Sequence, residues 1–456
     1  MTAHGIADAA ELAAFLAAHP DIRAVQIMIT DPSGVLRGKA VRREELVRIY
    51  ASGRQVAGSI LGLDISGEDV DETGLVWDTG DADMCARPIA GTLKRAPWLA
   101  SPTGQVMLTM FDAHGAPAAA DPRHALARVL DRFAQSGLTP VVACEIEFYL
   151  LRDEGGGRLV PAGGGRASER QKIDAYSLTR LDDLAPVFDE VYRATAAQDL
   201  PAETLMSEYA PGQFEITLHH QDDALRAVDQ AVMFKRLLRG VAARHGLIAC
   251  FMAKPFTERA GSGLHVHFSA NDAEGRNVFA SDDPAGTPAL RHAIGGMKAA
   301  MADSMAVFAP NANSYRRFVS QSYAPTAPIW GINNRSVSLR VPAGPASSRH
   351  VEHRIAGADA NLYLAVATAL AAAEQGMRER IDPGPPVEGN GYAQVRERTL
   401  PATWHDALDR AEKSAFIREA VGAEFLKVFL AIKRQECAHF SAQVSELDYA
   451  WYLRSS

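Results

Sequence analysis

The sequence predicts two domains, each mixing helices with strands, and three observations carry that expectation. At 456 residues the chain is longer than one hydrophobic core usually serves. Period-two alternation typical of strands and capping signals typical of helix starts both recur along it. A stretch rich in Ala, Gly and Pro at residues 112–120 then reads as a linker, so the boundary is placed near residue 115, giving units 1–114 and 115–456.

Residues 6–18 have the spacing of a short amphipathic helix, with Asp8 and Glu11 placed as a capping box. Residues 25–30 read as a strand, closed by the turn Asp31-Pro32-Ser33-Gly34, and 35–41 as its hairpin partner. A helix over 43–51 follows. Residues 56–83 are Gly-rich and acidic, too interrupted for long elements, and their simplest reading is solvated loop. A strand at 106–111 ends the first unit.

Asp121 and Pro122 open a helix with a cap and a first-position proline, and Gly137 ends it. A strand over 141–151 comes next. The Gly-rich segment 155–165 lacks the Gly-Lys-Ser/Thr ending of a phosphate loop and reads as a mobile hairpin tip. Helices over 182–198 and 222–246 enclose a hairpin at 207–218 that turns at Pro211-Gly212. Beyond the stretch Gly261 to Ser269 come a helix near 288–308, a loop with strands over 311–354, and Ala-rich helices. No internal repeat is present.

The composition is that of an ordinary soluble globular protein, 47% hydrophobic and 22% charged. A net charge of −8 argues against nucleic acid or an anionic membrane as the main partner. Cys85, Cys144, Cys250 and Cys437 form no metal-type pair and no disulfide framework, which fits a reduced compartment. No basic leader segment is read at the start of the sequence, and the apolar run 362–373 falls short of about 20 membrane-spanning residues. The cytoplasm is the expected location.

Chemistry concentrates in four candidate strands. His265 and His267 alternate in Gly261-Ser262-Gly263-Leu264-His265-Val266-His267-Phe268-Ser269, so both imidazoles leave one face of a strand. A lone His-x-His is more often a surface or structural pair than a ligand pair, and its meaning depends on its neighbours. Glu145 and Glu147 share a face in the same way, among apolar residues where unpaired carboxylates are costly. Glu208 and Glu215 bracket a tight turn, and Glu352 lies in Val351-Glu352-His353-Arg354. Each like-charge pair at 4 Å costs about 1 kcal/mol in water and about 4 at an effective dielectric of 20, and bound cations remove that penalty. Oxygen ligands with one or two imidazoles suit Mg2+ or Mn2+ rather than Zn2+. Arg317, Arg335, Arg340 and Arg354 add forked donors, so metals plus arginines describe a phosphoryl-transfer site. Arg316 is read as the arginine of a surface salt bridge.

Taken in order, these motifs resemble those of the glutamine synthetase family. The resemblance spans nearly the whole chain: residues 30–39 (TDPSGVLRGK), Asp121-Pro122-Arg123, Glu145-x-Glu147, the glutamates around Pro211-Gly212, GSGLHVHFS, NSYRRF, NNRSVSLRVP and VEHR all match. It implies an α+β fold, with an N-terminal β-grasp domain (1–114) and a larger catalytic domain (115–456). It also implies a homo-oligomer, a stacked-ring dodecamer with active sites between subunits. Carried over position by position, one metal falls to Glu147, Glu208 and Glu215 and another to Glu145, His265 and Glu352. ATP is implied against His267, Ser269 and Arg340, with Arg335 on the transferring phosphoryl group. Glutamate is implied on Arg317, Arg354 and the backbone of Gly261. The implied reaction phosphorylates the γ-carboxylate of glutamate and lets an amine attack the acyl phosphate, with two or more Mg2+ or Mn2+ ions as Lewis acids.

The departures bear on the amine. Ala57 stands where ammonia-using members have an Asp, and Tyr323 where they have a Glu that shields the intermediate. Losing both anionic groups weakens an ammonium site and leaves room for carbon, a pattern similar to the γ-glutamylpolyamine and γ-glutamylmonoamine synthetases of amine catabolism. Tyr323 and the surroundings of Ala57 are expected to meet the amine's carbon chain, and the acidic stretch 64–69 a distal ammonium. Ala260 replaces an Asn before Gly-Ser-Gly, which bears on the acid substrate. Tyr392, near where some relatives carry an adenylylated tyrosine, is read as an ordinary loop residue. An ammonia-dependent glutamine synthetase and a catalytically inactive scaffold or nitrogen sensor are the rival readings.

Overall fold

The computed structural model describes residues 5–163, 173–394 and 399–455. Its strands assemble into two sheets. The first contains β1 (Ala24–Thr30), β2 (Leu36–Arg42), β3 (Arg54–Ala57), β4 (Asp83–Pro88), β5 (Lys94–Arg95) and β6 (Thr103–Phe111), in the order β2-β1-β6-β4-β3 with β5 on β6. The hairpin β1–β2 is antiparallel, whereas β1 runs parallel to β6. Helix α1 (Ala9–Ala18) and helix α2 (Glu45–Ser52) supply Leu12, Phe15, Leu46 and Ile49 to its core.

The expected capping box at α1 is only half formed. Asp8 accepts the Glu11 N–H at 3.0 Å. The Glu11 carboxylate instead accepts from Gly91 N–H at 2.9 Å and Tyr50 hydroxyl at 3.3 Å, so a tertiary contact takes the group that would close the box.

Helix α3 (Pro122–Gln135) opens the larger part as its cap predicted. Asp121 accepts the Arg123 N–H at 2.9 Å. Its other oxygen accepts from the Thr109 hydroxyl at 2.7 Å and the Met110 N–H at 2.8 Å, both on β6. One carboxylate therefore fixes the angle between the last strand of the first sheet and the helix that backs the second.

The second sheet runs β13 (Trp330–Ile332), β14 (Leu339–Val341), β15 (Val351–His353), β12 (Leu264–Asn271), β7 (Thr139–Asp153), β10 (Gln213–Leu218) and β9 (Ala202–Ser207), with β8 (Leu159–Pro161) and β11 (Ile248–Cys250) on β7. On β7 the burial alternates: Cys144, Ile146 and Phe148 enter the main core, and Glu145 and Glu147 face away from it. That core is completed by α3 and by helices Ala224–Arg244, Pro288–Ala300 and Leu362–Glu379. The β7–β8 hairpin has its tip at residues 154–158, as the glycines predicted; residues 164 and 165 of that stretch lie outside the described residues.

Two expected helices are broken. The helix predicted over 182–198 is a short helix Leu178–Asp183 followed by Ala185–Ala197, because Pro186 lacks the N–H that would continue the first into the second. The one predicted over 288–308 ends at Ala300 and resumes as Met305–Phe308. The Ser304 hydroxyl donates back to the Ala300 carbonyl at 2.8 Å, and Asp303 is drawn outward by Arg410 at 2.6 Å.

Late in the chain, helix Ala423–Ala442 returns to the first sheet. Val428 and Ile432 join its core. Lys433 donates to the Ser33 hydroxyl at 2.9 Å, and Glu436 accepts the Ile65 N–H at 2.9 Å. All four cysteines are free. No helix among the described residues is long and apolar enough to cross a membrane.

Candidate active site

Sheet register builds the site. Glu147 on β7 lies opposite Glu215 on β10, Glu145 opposite His265 on β12, and His267 opposite Glu352 on β15, which is in turn opposite Arg340 on β14. Directly paired side chains on one face of a sheet are near neighbours, so five strands deliver carboxylates, imidazoles and a guanidinium to one surface. Glu208 joins them because its N–H bonds the Gln213 carbonyl at 2.8 Å, closing the turn between β9 and β10.

Glu147, Glu208 and Glu215 converge with oxygens within 4.8 Å of one another, the trio expected for one metal. The second expected trio meets around His265 but is less compact. Glu145 and His265 meet at 3.1 Å, and His265 lies 3.6 Å from Glu352. The groups compact enough to hold an ion are instead Glu145–Glu215–His265 and Glu145–His267–Glu352, which share Glu145. Both Glu352 oxygens are already claimed, one by Arg354 and the other by Arg340 at 2.8 Å. Arg340 thus faces a carboxylate here rather than open space.

The electrostatics test whether this donor set suits a cation. Burial, then Glu145, Glu147 and other acidic neighbours, holds Glu215 well above the usual carboxylate range. Burial and then Glu147 push Glu208 up to about 7. Burial opposes ionisation of Glu145 as well, yet contacts with His265 and His267 hold it far below the usual range. Two carboxyls held up beside ionised neighbours, all oxygen donors, fit a hard divalent cation.

A cavity of about 510 Å3 opens over this trio, lined by Glu147, Glu208, Glu215, His265, Gly261, Arg317, Arg335, Arg354 and Tyr323 among others. Arg317 is buried, donating to the carbonyls of Ile355 at 2.9 Å and Arg354 at 3.3 Å. The backbone at Gly261 must pass close to it, since a Cβ there would meet the Ala253 carbonyl at 2.6 Å and Arg317 Cγ at 2.8 Å. Gly263 is equally confined, and its N–H donates to Glu147 at 2.7 Å. Arg335 is exposed at the rim, its positive charge acting on Glu208. Ser269 is buried further along β12, on the same face as His265 and His267. Arg316 is exposed as expected, but among the described residues it lies over the Phe440 ring rather than in the expected salt bridge.

Tyr323 is exposed and in the left-handed region at φ 58°, with its ring 6.4 Å from that of Tyr209. Tyr392 steadies this loop, its hydroxyl donating to the Ala324 carbonyl at 2.9 Å. Ala57 does not line this cavity; within the chain it borders a smaller one of about 210 Å3 on the first sheet. Nor does the stretch 64–69 line it. One Asp64 oxygen accepts the N–H groups of Ser66, Gly67 and Glu68, so that oxygen is consumed locally.

Several cavity residues escaped sequence reasoning. Gln213 donates to the Gly261 carbonyl at 3.0 Å and to Glu147 at 3.4 Å, and it stands two residues before Glu215, where the same alternation would have found it. Tyr209, Lys254 and Glu258 also line the cavity, but they come from loops that carry no periodic signal.

Comparison with known sequences follows from this geometry. The family profile described as glutamine synthetase, catalytic domain, matches residues 119–452. The chain belongs to the glutamine synthetase family. Enzymes of the glutamine synthetase family use ATP and divalent metals, in keeping with the oxygen-rich donor set. Over 457 residues the chain is 37% identical to gamma-glutamylputrescine synthetase PuuA of Escherichia coli strain K12, covering 99% of this chain and 96% of that protein. It is 33% identical to gamma-glutamylethanolamide synthetase GlnA4 of Streptomyces coelicolor, covering 98% and 95%. A solved GmaS/ADP complex has the same fold, with a TM-score of 0.85 at 29% identity over 97% of this chain and 99% of that one.

Proposed function

We propose that this protein is an ATP-dependent ligase that joins the γ-carboxylate of glutamate to an organic amine through a γ-glutamyl phosphate. The observation that carries the amine reading is the aromatic wall of the cavity. Tyr323 faces Tyr209 above the carboxylate trio, and neither ring offers the anionic group that would favour a bare ammonium ion. Two tyrosines present apolar faces to a carbon chain and, for a charged amine, a cation–π surface.

The residues divide by what they touch. Arg317 and the confined backbone at Gly261 receive the α-carboxylate end of glutamate, and Arg354 its γ end. His267, Ser269 and Arg340 hold ATP, for which Arg340 must exchange Glu352 for phosphate oxygens. Arg335, exposed at the rim with its charge acting on Glu208, meets the transferring phosphoryl group. Glu147, Glu208 and Glu215 would hold one Mg2+ or Mn2+ and Glu145, His265 and Glu352 another. When bound, such ions supply Lewis acidity and clamp the phosphate oxygens. Residues 1–114 form the β-grasp domain and 115–456 the catalytic domain. The protein acts in the cytoplasm on small molecules, without nucleic acid or membrane, in amine catabolism and nitrogen metabolism. It assembles as a homo-oligomer, a dodecamer, supported by exposed Val444, Leu447, Tyr449, Trp451 and Leu453 near the end of the chain.

The test is phosphate release with glutamate, ATP and Mg2+ across ammonia, ethanolamine, putrescine, longer polyamines and aromatic amines, with product masses read for each. At least one organic amine is expected to outperform ammonia; ammonia exceeding every organic amine refutes the reading.

A further inference from the structure

Beyond the carboxylate trio, three imidazoles meet on the same sheet. His267 lies two residues along β12 from His265, His220 follows β10, and His350 precedes β15. Their ring centroids are 5.1 to 5.8 Å apart, and one nitrogen from each lies within 4.8 Å of the other two. We propose that His220, His267 and His350 form a further metal site, for a borderline transition metal such as Zn2+, that adjoins the oxygen-rich sites through Glu145 and shares His267 with the ATP contacts proposed above.

Hydrogen bonding points to a cation at this junction. The Nδ1 of His350 lies 2.7 Å from the Ser348 carbonyl, which only accepts, so the proton sits on Nδ1 and Nε2 keeps its lone pair. That Nε2 is 3.0 Å from Nδ1 of His267. The far nitrogen of His267, Nε2, faces the acceptor Oε1 of Glu145 at 3.2 Å, which places an N–H on Nε2. With that N–H directed at Glu145, Nδ1 of His267 and Nε2 of His350 face each other at 3.0 Å, a pairing of two nitrogens that calls for a proton or a metal ion between them.

His220 favours the metal. A shared proton uses two nitrogens and has no need of a third, whereas a metal does. The His220 ring lies 5.8 Å from that of His267 and 5.3 Å from that of His350, and one of its nitrogens completes the group of three within 4.8 Å. Two nitrogens on a tetrahedral zinc lie about 3.3 Å apart, near the spacing found. Glu145 behind His267 and the Ser348 carbonyl behind His350 are the partners that metal-bound histidines ordinarily have. Three imidazoles leave a fourth position for water or an anionic oxygen.

The full-length protein is titrated with Co2+, a spectroscopic stand-in for Zn2+, with saturating Mg2+ present. One Co2+ per chain is expected, with the intense visible bands of a low-coordinate nitrogen site, displaced by Zn2+. His220→Asn and His350→Gln, each shown to be folded by circular dichroism, should weaken it by more than about 10-fold. X-ray absorption on the zinc-loaded wild type needs no variant and should show about three imidazoles. An oxygen-only shell, or Co2+ affinity unchanged in both variants, overturns the site and leaves a shared proton as the cation.

Discussion

Glu208→Gln separates what the carboxylate trio does for ion binding from what it costs the fold. Glu147, Glu208 and Glu215 hold oxygens within 4.8 Å. At that distance and an effective dielectric of 20, each like-charge pair repels by about 3 to 4 kcal/mol. Protonation limits the cost: Glu208, ordinarily at 4.5, is pushed up to about 7 by burial and then by Glu147. Because the folded value lies above the unfolded one, the native state is favoured most below pH 4.5, and that advantage is lost as the pH rises to 7 and beyond. The loss is about 3 kcal/mol when complete. Glutamine cannot ionise, so it removes this dependence. In EDTA at pH 8 the variant should unfold a few degrees above wild type, with the gain shrinking toward pH 5, by differential scanning fluorimetry at a fixed scan rate. With Mg2+ the order should reverse for function, turnover and Mg2+ affinity falling by more than about 10-fold. A variant that unfolds below wild type in EDTA at pH 8, or whose gain is the same at pH 5, refutes the account of the trio as a repulsive cluster relieved by cations.

Tyr323→Glu should move preference toward ammonia, with kcat/KM for the best organic amine falling by about 10- to 200-fold in the phosphate-release assay; an unchanged ratio removes Tyr323 from the amine's surroundings. Gly261→Ala places a methyl 2.6 Å from the Ala253 carbonyl and 2.8 Å from Arg317, which should raise KM for glutamate and cost about 1 to 3 kcal/mol in urea unfolding. Asp121→Ala removes the cap of α3 and strands the Thr109 hydroxyl and Met110 N–H. It should lower the urea midpoint by an amount worth at least about 2 kcal/mol.

What sequence could reveal followed the reach of each interaction. Asp121 and Pro122 were legible because a cap is made within one turn. Glu145 and Glu147 were legible because a strand alternates, and buried Cys144 and Ile146 fix which face they take. The same rule would have found His350, two residues before Glu352, had the reading been carried one step further. His220 was out of reach: its meeting with His350 depends on β7, β12 and β15 lying beside β10 in that order, which no local pattern encodes. Glu11 failed as a capping partner for a similar reason, since Gly91 and Tyr50 come to it from far along the chain. That Arg340 and Arg354 would both lie on Glu352 was likewise beyond any local pattern, since Arg340 comes from a different strand.

The return of helix Ala423–Ala442 to the first sheet sets a timetable for biosynthesis. The residues around Ser33 leave the ribosome early, yet Lys433, which bonds Ser33, and Val428 and Ile432, which complete its core, are made last. At about 5 to 20 residues per second the wait is roughly 20 to 80 seconds. During that interval the nascent first sheet exposes the apolar surface that this helix later covers, which gives a chaperone a defined face to shield.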